Sequence, residues 1–335
     1  MKIKINSIAV FLCAIAIVPP AVFAYAPIES KADAANVPML AAVRVNASLG
    51  GPAMWRVSKD GRVMWVLGIV QIVPKKLTWQ SHNIASVMAH AQELILPPKA
   101  YFRLFYLKWF WWRSAIRDAS KNQDHATLAD ILPSAMLSRW RMLWKEYGNG
   151  RASMERFNPL YAQRKLYHVF LKKNDFQSSR SIVREITDIA RKYSVRVVRA
   201  DYVEHVVRPK QFLIASVQRG NELPCFSATL KFVQHDLDRI QVRANAWATG
   251  DIPALRITRL VDRSSCNPSL KLTSEYGAGN VPKHMKAVWL ASVQSALKKY
   301  EATVAILPMS DVLAENGYLA ALQARGYKVE PPSTR

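Results

Sequence analysis

Two short segments near opposite ends of the chain repeat one pattern, in which a hydrophobic run ends in a turn whose fourth residue is polar. Residues 63–67 run into Gly68-Ile69-Val70-Gln71, and residues 303–307 run into Pro308-Met309-Ser310-Asp311. Ligands of α/β sheets usually bind beyond the carboxyl ends of the strands. We therefore treat Gln71 and Asp311 as candidate site residues. A catalytic divalent metal needs about three protein ligands from histidines and carboxylates, so this pair alone does not form a metal centre.

The common catalytic motifs are missing from the sequence. The seven histidines are scattered, without the His-Glu-x-x-His spacing of zinc hydrolases. There is no Gly-x-Ser-x-Gly nucleophile turn and no phosphate-binding loop. Asp201, Glu204 and His205 are close enough in sequence to form a local polar cluster, although we favour a solvated turn between a strand and a helix.

The segments that must position these residues alternate between strand and helix patterns. Asp60-Gly61 between apolar runs predicts a β-hairpin that contains the first motif strand. A helical pattern over residues 83–92 precedes a short strand at 94–96, which Pro97-Pro98 ends. The pattern predicts an α/β (α+β) fold: a central mixed β-sheet built from two halves, flanked by helices, with a helical insert at about residues 99–193.

The paired motif and the segments between its two copies resemble the TraB/GumN family, which is related to the TIKI-type metalloproteases. The order of these segments along the chain is the specific part of the resemblance. The further matching segments are Thr127–Pro133, Met154–Pro159, the turn Trp247-Ala248-Thr249-Gly250-Asp251 and Val261-Asp262-Arg263. The resemblance covers the chain from about Trp55 to Val329.

This resemblance implies a divalent metal held by two Gly-x-x-His turns and nearby acidic residues. Here Gln71 and Asp311 occupy the two histidine positions, and Pro97 falls on an acidic position. Pro308 replaces the glycine that opens the second turn, so a glycine-only backbone conformation is closed to it. These substitutions fall on the positions that the family's metal-dependent chemistry requires.

The resemblance also implies which residues line the family's binding site. Asp201 lies where the family often has a glutamate, and Ser264 replaces the asparagine that usually follows the position of Arg263. The predicted binding set is Gly68, Gln71, Asp201, Arg263 and Asp311. With the degenerate positions Gln71, Pro97 and Asp311, no catalytic residue is assigned, and no cofactor is expected unless the family's divalent metal is retained.

We expect a catalytically degenerate relative of metal-dependent hydrolases, with a binding or regulatory role at the cell envelope. One alternative is an active hydrolase with rearranged ligands, in which Asp311 acts with Asp201, Glu204 or His205. Another is a basic peripheral envelope protein that binds anionic lipid or polysaccharide.

The amino-terminal residues have the layout of a secretory signal peptide. Lys2 and Lys4 precede an apolar stretch that is shorter than the roughly 20 residues of a membrane span, and small residues follow near Ala24 and Ala26. We expect a signal peptide at 1–26, a flexible lead-in at 27–50 and a single domain at 51–330. The protein would then be periplasmic or secreted.

The charge balance favours anionic partners. The formal net charge is +23, and loss of Lys2 and Lys4 with the leader lowers it to +21. Such a surface suits an anionic membrane surface or acidic polysaccharide, while export argues against nucleic acid. A solvated basic surface without a dedicated partner is an equally simple explanation.

One segment, Tyr101 to Arg117, interleaves aromatic and basic residues. Tryptophan, tyrosine and arginine are common both at membrane interfaces and at protein-interface hot spots. A protein partner, anionic lipid and simple packing against the sheet all remain open for it. Separately, Cys225 and Cys266 are the cysteines that remain after the leader, and in an oxidising compartment we expect them to pair.

We predict that the mature chain begins at Tyr25 or Pro27 and lies outside the cytoplasm, because the leader has a basic end, an apolar core and a small-residue cleavage region. Intact-mass spectrometry of the protein from fractionated cells checks both points. A soluble cytosolic product that retains Met1 would contradict the prediction.

Overall fold

The two motif strands are parallel neighbours inside a six-stranded sheet. The computed structural model describes residues 50–332 except 104–105, 219–221, 264–265, 267–271 and 277–278. The strands are β1 Met54–Lys59, β2 Arg62–Ile69, β3 Ile72–Pro74, β4 Glu93–Leu96, β5 Ala100–Arg103, β6 Phe176–Ser178, β7 Arg196–Arg199, β8 Tyr202–His205, β9 Ala302–Pro308 and β10 Lys328–Glu330. The main sheet has the order β10-β1-β2-β9-β4-β7.

The register of β2 and β9 brings the two motif turns to the same edge of this sheet. Gly68 pairs with Leu307 and Ile69 with Pro308. β4 lies on the other side of β9, also parallel, so Pro97 follows it at that edge. On the far side of β2, the antiparallel strand β1 is joined by the predicted hairpin. Asp60 and Gly61 have φ values of 50° and 75°, as a two-residue turn with both central residues left-handed requires.

Helices flank the sheet, which confirms the predicted fold class. The described helices are α1 His82–Met88, α2 Tyr106–Ala119, α3 Leu128–Ile131, α4 Ser134–Tyr147, α5 Pro159–Lys173, α6 Arg180–Lys192, α7 Pro209–Gln218, α8 Glu222–His235, α9 Leu237–Thr249, α10 Ile252–Ile257, α11 Val281–Lys299, α12 Met309–Leu313 and α13 Tyr318–Gln323. None of the helices in these described ranges is long and apolar enough to cross a membrane.

Two hydrophobic clusters hold these elements together. The larger one lies on the main sheet and includes Ile186 from α6 and Trp289 from α11. The second one joins α4 and α5 to α8 through residues such as Trp140 and Phe226. The insert expected at 99–193 therefore differs from a self-contained helical unit: it contains β5 and β6, its last helix packs on the main core, and its own core is completed by residues beyond 193.

Several predicted features lie outside the described residues. These are the signal peptide at 1–26, nearly all of the lead-in at 27–50, and Ser264. The aromatic and basic segment from Tyr101 to Arg117 is described only in part, as the end of β5 followed by α2. Its expected roles stay predictions.

The turn after α9 fastens this helix to the end of the first motif strand. Trp247 is fully buried, and its indole nitrogen donates a hydrogen bond of 2.7 Å to the carbonyl oxygen of Gly68. That carbonyl lies just beyond the last residue pair of β1 and β2, so the indole satisfies a buried acceptor at the strand end. Gly250 then adopts φ 76°, and Asp251 caps α10 by accepting from the backbone N–H of Ala254. The turn therefore has a structural role: it ends α9 and begins α10.

We predict that Trp247→Phe lowers the free energy of unfolding by about 1–3 kcal/mol, because the Gly68 carbonyl stays buried without its donor. Trp79→Phe is the matched control, since the Trp79 indole packs against Trp247 and bonds to the exposed Glu185 carboxylate. Water can replace that exposed bond, so the control should cost less than about 1 kcal/mol. Urea denaturation measures both, and equal losses would contradict the assigned role of the buried bond.

Candidate functional site

A cavity of about 910 Å³ opens where the two motif strands end. Gln71 lines it after β2, and Met309, Ser310 and Leu313 line it from α12, directly after β9. The opposite walls come from α5, from α9 and α10, and from the chain that follows α10. The position is the one expected for a ligand site in an α/β sheet, beyond the carboxyl ends of parallel strands.

The walls away from the sheet are strongly basic. Five arginines line the cavity together with His168, and one carboxylate, that of Asp262, lies in the same lining. The arginines are Arg164, Arg243, Arg256, Arg259 and Arg263. No ion pair within the described ranges includes any of these five side chains. A cluster of guanidinium groups without carboxylate partners favours a negatively charged occupant.

The remaining lining is mostly apolar. This apolar part comes from the strand end, from α8 and α10, from the chain after α10 and from α12. Its side chains are Ile69, Val70, Ile72, Phe232, Leu255, Leu260, Val261, Met309, Leu313 and Ala314. Six of these ten side chains are less than 9% exposed, so packing within the protein already covers most of this hydrocarbon.

Arg263 is held in place by neutral groups. Its guanidinium carbon lies 3.6 Å from the centre of the Tyr167 ring, which is the geometry of a cation–π contact. Nε donates to Oγ1 of Thr229 and Nη2 donates to Oε1 of Gln163, each at 3.2 Å. Burial lowers the pKa of Arg263, although the Tyr167 side chain opposes the shift. The arginine is thus positioned without being neutralised.

A disulfide anchors the chain that carries Arg263. The structure joins Cys225 of α8 to Cys266, with Cα atoms 4.8 Å apart, a separation within the ordinary range for disulfides. Cys266 itself lines the cavity. The pairing therefore ties the Arg263 segment to the helical core of the second cluster.

His168 is affected by the positive surroundings. Loss of solvent lowers its pKa from the ordinary value, and the charges of Arg164, Arg263 and Lys165 lower the pKa further. Both effects favour the neutral imidazole over the charged form. An anion bound in the cavity would counter these charges and raise that pKa.

Gln71 and Asp311 share the sheet edge but do not converge. Gln71 lines the cavity, whereas Asp311 is absent from the lining and faces surroundings that include Lys286 and Tyr318. Burial raises the pKa of Asp311, with Ser310 and Lys286 opposing the shift. Burial, with the Asp311 charge added, raises the pKa of Tyr318 to about 12.

The strand ends leave little room for added side chains. A Cβ on Gly68 would lie 2.7 Å from Cε of Met309, so α12 packs tightly on the first motif. Pro97 is buried after β4 and offers no side-chain donor. Gly68 and Pro97 thus have structural roles at this edge.

The solvated turn favoured for Asp201, Glu204 and His205 is wrong for the last two, which lie in β8. All three residues are absent from the cavity lining. Glu204 is buried, accepts a 2.7 Å hydrogen bond from the Tyr202 hydroxyl, and also accepts from the backbone N–H of His205. The Tyr202 hydroxyl lies 3.0 Å from Nδ1 of His284, a contact that sequence spacing did not reveal. Burial raises the pKa of Asp201, opposed by Lys99 and Arg199. Glu204 is thus engaged by tyrosine and backbone donors.

The residues at the motif positions do not fit the divalent metal that the resemblance implies. Gln71 supplies a neutral amide among unpaired arginines, and Asp311 does not reach the cavity. Within the described residues, no group of three or more His, Cys, Asp and Glu side chains could hold a metal ion. The donor set and its charge environment suit an anion better than a cation.

Most of the basic lining is not predictable from motifs in the sequence. Arg164 lies on α5, Arg243 on α9, Arg256 on α10 and Arg259 just beyond it, so no spacing rule groups them. The available signal was the overall positive charge and the basic run from Arg256 to Arg263.

Comparison with known proteins identifies the family. The model of the TraB/PrgY/gumN family matches residues 53–331, which is most of the chain. No curated protein and no solved structure shows a significant match. This match extends from the first strand of the sheet to the last and includes both motif turns, so the chain belongs to the TraB/PrgY/gumN family.

Proposed function

We propose that this protein is an exported member of its family in which binding of an anionic ligand has replaced metal-dependent hydrolysis. The observation that carries the proposal is the set of five arginines, without ion-pair partners in the described part of the chain, around the cavity at the motif strands. In this role the protein is a binding or regulatory component of the cell envelope.

The electrostatics of the cavity support an anionic ligand. Each guanidinium presents several N–H donors in a planar fork that matches carboxylate or phosphate oxygens. Charge-assisted hydrogen bonds of this kind contribute about 1.5–3 kcal/mol each where they are shielded from water. The same positive field opposes a divalent cation at Gln71, because like charges in a partly desolvated site repel strongly.

The chemistry of the motif positions supports the loss of hydrolysis. A metal-bound water needs a cation held by several ligands at once, and Gln71, Pro97 and Asp311 do not supply them. The rearranged alternative would require Asp311 to act with Asp201, Glu204 or His205. Glu204 is already bonded to Tyr202 and to the His205 backbone, and Asp311 lies against Lys286 and Ser310.

We predict that purified mature protein holds far less than one zinc, manganese or cobalt per chain, and that Gln71→His alone does not change this. One imidazole leaves the coordination shell short and remains among arginines. The triple variant Gln71→His, Pro97→Glu and Asp311→His should take up more metal, and adding Arg256→Gln with Arg259→Gln should raise uptake further. Elemental analysis by mass spectrometry measures each variant.

The outcome that contradicts this proposal is a tightly bound stoichiometric metal in the wild-type protein together with peptide hydrolysis that Asp311→Ala abolishes. Arg191→Gln, which removes a surface arginine paired with Asp188, is the matched control for nonspecific effects of lost positive charge.

We predict that sulfate binds more tightly as the pH falls from 8 to 5.5. The free protein holds the pKa of His168 below its ordinary value of 6.5, so an anion that raises this pKa must bind together with a proton. Affinity therefore rises as the pH drops through the pKa of the bound state. Sulfate keeps its charge over this range, which assigns the pH dependence to the protein. Calorimetric titration at several pH values makes the measurement.

His168→Gln should flatten this pH profile while leaving sulfate binding measurable at pH 8. His125→Gln is the control, because His125 lies in a short turn outside the cavity lining. A profile that His125→Gln changes and His168→Gln leaves intact would rule out the assignment.

A further inference from the structure

The first pair of cavity arginines is Arg164 and Arg263. Nη2 of Arg263 donates a 3.2 Å hydrogen bond to Oε1 of Gln163, the residue directly before Arg164 on α5. Burial lowers the pKa of Arg263, the Tyr167 side chain opposes this shift, and the Arg164 charge lowers the pKa further. Loss of solvent, followed by the charges of both arginines, lowers the pKa of His168, one turn after Arg164 on the same helix. The two guanidinium charges of this pair therefore act on the same small region.

The second pair, Arg243 and Arg259, is built in the same way. Nη1 of Arg243 donates to the backbone carbonyl oxygen of Thr258 at 2.8 Å, and Arg259 directly follows Thr258. The same nitrogen donates to the carbonyl oxygen of Leu255 at 2.7 Å, in the last turn of α10. Burial lowers the pKa of Arg243, and the Arg259 charge lowers it further. In both pairs a half-buried arginine is thus fixed next to the chain that carries an exposed one.

Each pair provides a position for one anionic group. No ion pair within the described ranges includes any of these four side chains, so the two like charges of a pair repel each other without compensation. An anion bound between them relieves this repulsion. The N–H groups of two guanidinium forks also reach the oxygens of a phosphate from two directions.

The two pairs are close enough for one small ligand to contact both. All four arginines line the same cavity of about 910 Å³, a volume in the range that holds drug-sized ligands. Arg259 and Arg263 are four residues apart in the sequence, so their Cα atoms are separated by at most about 14 Å. A ligand with two anionic groups on a short linker fits these limits.

The charge of the lining favours two phosphate groups over one. Five arginines and one carboxylate, that of Asp262, line the cavity, which leaves a surplus of four positive charges. A phosphate monoester carries about −1.5 to −2 at neutral pH, so one such group balances at most half of this surplus. Two phosphate groups come close to balancing it, whereas two carboxylates do not.

We propose that the cavity binds a small ligand with two phosphate-type groups, one held by the first arginine pair and the other by the second. This proposal rests on the proposed function, since it uses the same cavity and the same arginines. It adds the number of anionic groups in the ligand and the position of each group.

The test compares methylphosphonate with bisphosphonates whose two groups are joined by one, three or six carbons, at pH 8 in metal-free buffer. Equilibrium dialysis gives the number of molecules bound per chain, and isothermal titration gives the affinity. We expect two molecules of methylphosphonate per chain but one molecule of bisphosphonate, which occupies both positions. The bisphosphonate whose linker fits the span should bind about 10-fold to 150-fold more tightly than methylphosphonate, because a second charge-assisted interaction is gained.

One variant in each pair tests the two positions separately. Arg164→Gln and Arg259→Gln change exposed side chains, so the fold should tolerate both. Each variant should lower the number of bound methylphosphonate molecules from two to one and weaken the best bisphosphonate about 10-fold or more. Arg191→Gln is the matched control, since it removes the same charge from α6, outside the cavity lining. It should change neither quantity.

The possible failures are distinguishable. One methylphosphonate per chain, with every bisphosphonate binding no more tightly, would overturn the two positions and leave the anion-binding function standing. Equal weakening of the bisphosphonate by Arg191→Gln and Arg164→Gln would assign the affinity to overall charge and would also overturn them. Absence of binding by every phosphonate would remove both this proposal and the proposed function.

Discussion

The parallel pairing of β2 with β9 is the constraint on which the rest of the structure depends. It joins residues near 68 to residues near 307, so both motif turns and the cavity between them exist only once the two ends of the sequence have met. Local contacts cannot form this site in advance, because closing so long a stretch of chain costs entropy before any contact rewards it. The Trp247 bond to Gly68 adds the helical region to the same junction, and this makes the strand end a meeting point for three distant segments.

The cavity shows how arginine side chains can be held in position without ion pairs that neutralise their charge. Burying an unpaired charge is costly, and proteins usually offset it with a carboxylate. Here Arg263 is supported by an aromatic ring and two neutral oxygens, and Arg243 donates to the backbone carbonyls of Leu255 and Thr258. These groups orient the arginines and leave their charge available. Sites of this kind are commonly less stable than the fold could make them.

Features with a local sequence signal were predictable. The hairpin follows from Asp60-Gly61, the motif strands from their hydrophobic runs, and the cap at Asp251 from the turn chemistry after Trp247. The side-chain directions at the strand ends were not predictable. Asp311, in the short helix after β9, could face either the cavity or the neighbouring helix, and packing decides between them. The arginines converge from four separate elements, and the partnership of His284 with Tyr202 joins residues 82 positions apart. The amino-acid composition showed the positive net charge but not where in the structure the basic side chains are concentrated.

The disulfide between Cys225 and Cys266 closes a segment of 41 residues, and four of the five cavity arginines, Arg243 to Arg263, lie inside it. Among the described residues of this segment, Ile257 at the end of α10 is the most exposed large hydrophobic residue, at 84%. A protease that cuts the chain near Ile257 would therefore produce two fragments that stay covalently joined, with arginines on both sides of the cut. Such a nicked protein would migrate as one species until it is reduced. Proteolysis at this point would loosen the rim of the cavity without releasing either half of its charge.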